Sequence, residues 1–116
     1  MNSLSTIPPG LIPQNLRGYH VGLLVRGAKW APGEPPADLL KRHLEFNRRM
    51  IEEKKFVLAG PTLDDGRLLG LAIVVAKSTA EAEQILGQDP DVLEGRAAIE
   101  LHPALLPSLD TVSVKY

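Results

Sequence analysis

Histidine is the side chain whose ordinary pKa allows proton transfer near neutral pH, and this chain has three, at positions 20, 43 and 102. His43 has the most informative surroundings. It falls in Asp38 to Lys55, whose periodicity predicts a helix, with Pro35 and Pro36 just before it. With side chains at about 100° intervals, Leu39, Leu44, Phe46, Met50 and Ile51 spread over an apolar arc of about 160°. His43 and Asn47 fall near the middle of that arc, while Lys41, Glu45, Arg49 and Glu52 take the opposite side. Burying two polar groups costs about 1–3 kcal/mol each unless they find partners. His43 therefore reads either as a core histidine satisfied by a backbone carbonyl, or as a site histidine facing a cleft, able to take or give a proton.

A histidine acting as a base needs a group that fixes its tautomer, and Asp89 is a candidate. Asp89 also precedes Pro90, the pattern of a helix N-cap with proline at the first helical position. The two roles are compatible, because a carboxylate has two oxygens. Arg96 to His102 alternates: Ala97, Ile99 and Leu101 share one face, and Arg96, Ala98, Glu100 and His102 the other. That second face is either a solvated edge or a polar cleft wall, with Arg96 available for an anionic group. Trp30, the only tryptophan, sits in a loop rich in Pro and Gly, as a lid over a pocket or a staple for the loop. His20, on the first strand, reads as structural.

Other chemistries find little support. There is no cysteine, hence no disulfide, thiolate metal site or Cys nucleophile. No HxH, HxxxH or HExxH spacing marks a metal site, and no GxGxxG or Walker spacing marks a phosphate loop. A strained Ser elbow is missing. What remains is acid–base chemistry without a cofactor, or ligand binding. A formal charge of -1 argues against non-specific nucleic-acid or anionic-membrane binding. The apolar runs are too short to span a membrane. Met1 to Pro9 lacks the charged and apolar regions of a signal peptide, which predicts a cytoplasmic protein.

The 116 residues fit one domain. Residues 1–18 read as an arm: Pro8, Pro9, Gly10 and Pro13 forbid a regular element, yet Leu4, Ile7, Leu11, Ile12 and Leu16 predict docking on its own domain or a partner. The domain, residues 19–116, is predicted to hold strands at Tyr19–Arg26, Phe56–Ala59, Arg67–Ala76 and Arg96–His102, the last ended by Pro103. Asp65-Gly66 predicts a tight hairpin turn with positive φ at Gly66. Ser78 to Glu81 opens a second helix that stops near Gly87, and Asp89-Pro90 opens a short turn or helix. The tail TVSVKY is a possible edge strand. The order β-α-β-β-α-β is an α+β, ferredoxin-like arrangement. The third strand is apolar on both alternating faces, whereas two helices cover only one side of such a sheet. This predicts a homodimer with two sheets face to face.

Taken in order, GAKW (Gly27–Trp30), His43, LAGP (Leu58–Pro61), LDDG (Leu63–Gly66), LLGLAIV, Ser78–Ala82, DPDVLEGR (Asp89–Arg96) and ELHP (Glu100–Pro103) resemble the YciI-like (YCII-related) family over roughly residues 19–103. The resemblance implies a dimeric α+β barrel of ferredoxin-like protomers and a site in which His43 and Asp89 pair. It further suggests proton transfer on small cyclic or aromatic compounds, by kinship with a dehydrochlorinase of chlorinated hydroxyquinol breakdown and, at fold level, with muconolactone isomerases. The candidate catalytic residues are His43 and Asp89. The candidate substrate-binding set is Trp30, Asn47, Gly60, Pro61, Arg96, Glu100 and His102. The expected function is a lyase or isomerase without cofactor or metal. The alternative is a non-catalytic dimer that binds a small ligand or accompanies a larger system.

Overall fold

The computed structural model describes residues 7–116, so Leu4 and the rest of the first six arm residues lie outside the described residues. The elements run β1 (Leu16–Arg26), α1 (Ala37–Glu52), β2 (Phe56–Pro61), β3 (Leu68–Val74), α2 (Thr79–Leu86), α3 (Pro90–Leu93) and β4 (Ala97–Pro107). The four strands form one antiparallel sheet in the order β2-β3-β1-β4, the ferredoxin-like arrangement. Residues 7–15 are surface turns, with Leu11 exposed.

The helices pack on one face of the sheet. There, Phe46 and Met50 of α1 and Ala82, Ile85 and Leu86 of α2 bury against Phe56, Ala72 and Val74, with Ile99 and Leu101 at the margin. Burial of these apolar side chains is the main force joining helices to sheet. The buried stripe of α1 is Leu39, Phe46 and Met50, at helical spacing, and His43 sits one turn from each of the first two. Leu44, placed by the sequence on the apolar arc, is exposed. On the opposite sheet face, Val21 and Leu23 stand beside Ile73 and Leu71, only half-buried within this protomer.

Several boundaries differ from the sequence reading, each for a local reason. The first helix stops at Glu52 because Lys54 adopts a left-handed φ of 60°. The Lys54 N–H then donates to the Ile51 carbonyl (3.0 Å) and the Lys55 N–H to Met50 (2.9 Å), a Schellman closure made without glycine. β4 runs through Pro103 instead of ending there. It is an edge strand, where a residue lacking an N–H is tolerated, and Pro103 pairs opposite His20. The tail after Pro107 forms no strand. The Asp65-Gly66 segment is a broad bend rather than a tight hairpin, and Gly66 has no positive φ.

Two glycines fix the loop that carries Trp30. The Gly27 N–H donates to the Arg96 carbonyl (2.8 Å) and the Lys29 N–H to the Gly95 carbonyl (2.9 Å). A side chain at Gly27 would collide with the Gly95 carbonyl and the Ala97 backbone. Gly95 itself has φ +81°, a conformation that disfavours residues with a Cβ. Gly95→Ala is therefore expected to destabilise the fold by about 1–2 kcal/mol. Urea unfolding should show a lower midpoint with an unchanged slope.

Candidate functional site

α3 begins where Asp89 caps it and Pro90 occupies its first turn, as the Asp-Pro pattern predicts. The Asp89 Oδ1 accepts the Asp91 N–H at 2.9 Å. The same carboxylate, only 1% exposed, accepts a second donor from across the fold. His43 Nδ1 of α1 lies 2.8 Å from Oδ1 and 2.9 Å from Oδ2. Asp89 is thus cap and histidine partner at once. A carboxylate only accepts, so the bond places the imidazole proton on Nδ1 and leaves Nε2 as the basic atom. Nε2 faces the Asn47 amide nitrogen one turn along α1, at 3.4 Å. The His43 side chain keeps 16% exposure, so the ring is set into the surface rather than sealed in the core.

Asp91 completes the cluster, and the sequence reading did not single it out. Its Oδ2 lies 3.8 Å from His43 Nδ1 and accepts from Arg96 Nη1 at 3.2 Å. Its Oδ1 is buried without a hydrogen-bond partner. Burial pushes the Asp91 carboxyl above the usual carboxylate range, against the lowering effect of His43 and Arg96. For His43, burial works against the charged ring. The hydrogen bond to Asp89 and the charges of Asp89 and Asp91 outweigh it, together with the opposing Arg96 charge, so the pKa is raised. The signal for Asp91 was its place two residues past the cap, where the first turn of α3 points back to the Asp89 carboxylate.

His43, Asp89 and Asp91 also form the one group among the described residues that could hold a metal ion, with one ligand atom each within 4.8 Å of the others. The Arg96 guanidinium already sets a positive charge against Asp91.

The remaining candidates divide. Arg96 joins the cluster directly. Together with Trp30 it also lines a cavity of about 310 Å³ between the β1–α1 loop and the β2–β3 connection. The Arg26 guanidinium lies 3.9 Å over the Trp30 ring at the same cavity, and the sequence reading missed it. Gly60 and Pro61 sit on edge strand β2, paired with Leu71 and Gly70; neither lines this cavity or bonds to the histidine pair. Glu100 and His102 stand opposite Leu23 and Val21, on the sheet face away from the helices and hence away from His43. Glu100 instead pairs with Arg67 at 2.6 Å, and His102 is exposed. His20 is buried, with Nε2 3.0 Å from Thr79 Oγ1 at the start of α2.

A ferredoxin-like sheet with an acid-held histidine on its first helix defines the class of protein. Residues 23–103 match the YCII-related domain, and the chain belongs to that family. No curated protein matches the chain significantly. Among solved structures it is similar to 5-chloro-2-hydroxyhydroquinone dehydrochlorinase from Burkholderia phenoliruptrix in complex with 2,5-dihydroxybenzoquinone. The TM-score is 0.47 at 20% identity, over 72% of this chain and 90% of that chain. No helix among the described residues is long and apolar enough to cross a membrane.

The raised His43 pKa has a consequence for stability. The pair stabilises the fold fully below the unfolded histidine value of about 6.5, and this contribution is lost as pH rises through the folded pKa. The thermal midpoint is expected to fall as pH rises past that point, and His43→Gln to flatten the fall. Equal slopes for the two proteins would show the ring to be unlinked to folding.

Proposed function

We propose that the protein is a lyase or isomerase that needs no cofactor, and that His43 moves a proton at a small cyclic or aromatic compound. The observation that carries this reading is the ring's position: Nδ1 is held by a buried carboxylate and Nε2 is left as the base at a partly exposed site. Nε2 would take a proton from a carbon made acidic by a neighbouring carbonyl. Asp89 would hold the ring and stabilise the imidazolium that forms. Returning the proton to another carbon completes an isomerisation; departure of a leaving group completes an elimination. Asn47 lies where it can orient the group facing Nε2. Arg96 spends one donor on Asp91, leaving others for an anionic part of the substrate.

A second reading is a non-catalytic ligand-binding domain. One observation favours it: the cavity beside Arg96 is lined by Trp30 and Arg26 but not by His43.

In either reading we assign the open sheet face to a second copy of the chain. Val21, Leu23, Leu71 and Ile73 make an apolar surface that none of the protomer's helices covers. Sedimentation at micromolar concentration should show a dimer, and Ile73→Glu should shift it to monomer. A wild-type monomer would refute the assignment.

Once a substrate is in hand, His43→Ala is expected to lower turnover by about 10²–10⁴. Asp89→Asn should lower turnover and move the acid limb of the pH–rate profile downward, since it removes the Asp89 bond and charge that raise the His43 pKa and leaves only the weaker pull of Asp91. Unchanged turnover in both variants would refute the His43 mechanism, whereas a ligand that stays chemically intact on the wild-type protein would select the non-catalytic reading.

A further inference from the structure

We infer that the cavity between the β1–α1 loop and the β2–β3 connection binds a small organic carboxylate, clamped by the Arg26 and Arg96 guanidiniums beside the Trp30 ring. This names the class of ligand for the site proposed above and rests on that reading for its relation to His43.

The cavity is a fixed feature of the fold. The backbone bonds from Gly27 and Lys29 to Arg96 and Gly95 lock the tryptophan loop against the start of β4, which sets Trp30 and Arg96 on one wall. Arg26 ends β1 and stacks on Trp30, which occupies one face of its guanidinium and leaves the in-plane N–H donors at the edge. Among the described residues no side chain hydrogen-bonds to those donors; the nearest carboxylate, Asp65, is 3.8 Å away and fully exposed. Arg96 is the more enclosed of the two, at 19% exposure, with one nitrogen committed to Asp91. Two guanidiniums with unspent donors thus meet one cavity, the geometry that suits a planar, two-oxygen anion.

Asp64 and Asp65 also border the cavity; both are exposed to water, and neither hydrogen-bonds to Arg26 or Arg96. An incoming carboxylate would replace the long Arg26–Asp65 contact with shorter bonds. Between the charged groups the lining is mostly polar, with Trp30, Pro32, Leu68 and Leu69 supplying a smaller apolar wall. Inorganic phosphate would leave that wall uncovered, whereas a ring or short chain bearing a carboxylate fills it. A volume of about 310 Å³ lies at the small end for ligand sites, which limits the occupant to a compound of about one ring.

Trp30 is the only tryptophan, so intrinsic fluorescence reports on this cavity. The test titrates the full chain with benzoate, benzamide and inorganic phosphate. Benzoate is expected to give a saturable change, with benzamide and phosphate at least about tenfold weaker, and Arg26→Gln is expected to weaken benzoate at least about tenfold. His43→Ala should still bind benzoate, so loss of the acid–base reading and loss of this site are separate results. No saturation with benzoate at millimolar concentration, equal binding of benzamide or phosphate, or unaltered binding in Arg26→Gln would each overturn the proposal. Should Arg26→Gln fail to fold, the comparison of the three probes on the wild-type protein decides it.

Discussion

A carboxylate that is 99% removed from solvent must find donors or lose its charge, and the architecture around Asp89 answers that demand. Its donors come from two places: the amide of Asp91 in its own turn, and the Nδ1–H of His43, 46 residues earlier. That bond ties α1 to α3 across the front of the sheet. It decides which histidine nitrogen is basic, and it holds the ring where neither helix alone would hold it. The neighbouring Asp91–Arg96 pair adds a second carboxyl group and a permanent positive charge to the same small volume. With the ring protonated and both acids ionised, two negative and two positive groups balance; with the ring neutral, one negative charge is unmatched. This imbalance, added to the direct bond, is the physical reason that His43 holds its proton more firmly than a free imidazole.

The rest of the fold serves that cluster unevenly. One face of the sheet carries the helices and the core, and β1 and β4 run side by side over eleven paired positions to form its most extensive ladder. Where that ladder meets the loops, Gly27 lets two backbone segments approach more closely than a side chain would allow, and Gly95 supplies the positive φ of the turn. Arg96 stands at this junction and looks both ways, to Asp91 on one side and to the Trp30 cavity on the other. The opposite sheet face takes no part in this arrangement; its apolar centre, the half-buried Glu100 and the exposed His102 belong to a separate surface.

Much of this was legible in the residues. A polar His43 in register with Leu39, Phe46 and Met50 announces itself at helical period, and Asp89-Pro90 announces a cap. The element order followed from punctuation by glycine and proline, and its ferredoxin-like pairing followed from the order. Asp89 was legible as a candidate partner for the histidine, but that the two pair was implied only by the family resemblance, since nothing local links residues so far apart. Asp91 escaped notice because DPDV reads as a solvated acidic turn until the packing of α1 over it is known. The alternation of β4 was read correctly, but which face meets the helices is a tertiary fact. Glu100 and His102 were therefore placed with a site that they do not approach. The Schellman turn at Lys54 carries no glycine, and Pro103 looks like a strand end only until β4 is known to be an edge.

The pairing of ring and acid is most directly tested by long-range ¹H–¹⁵N NMR of the histidine ring nitrogens across pH. Neutral His43 is expected to carry its proton on Nδ1 and its lone pair on Nε2, and to titrate above the ordinary value of 6.5. A ring that averages between tautomers as free histidine does, or one protonated on Nε2, would contradict it.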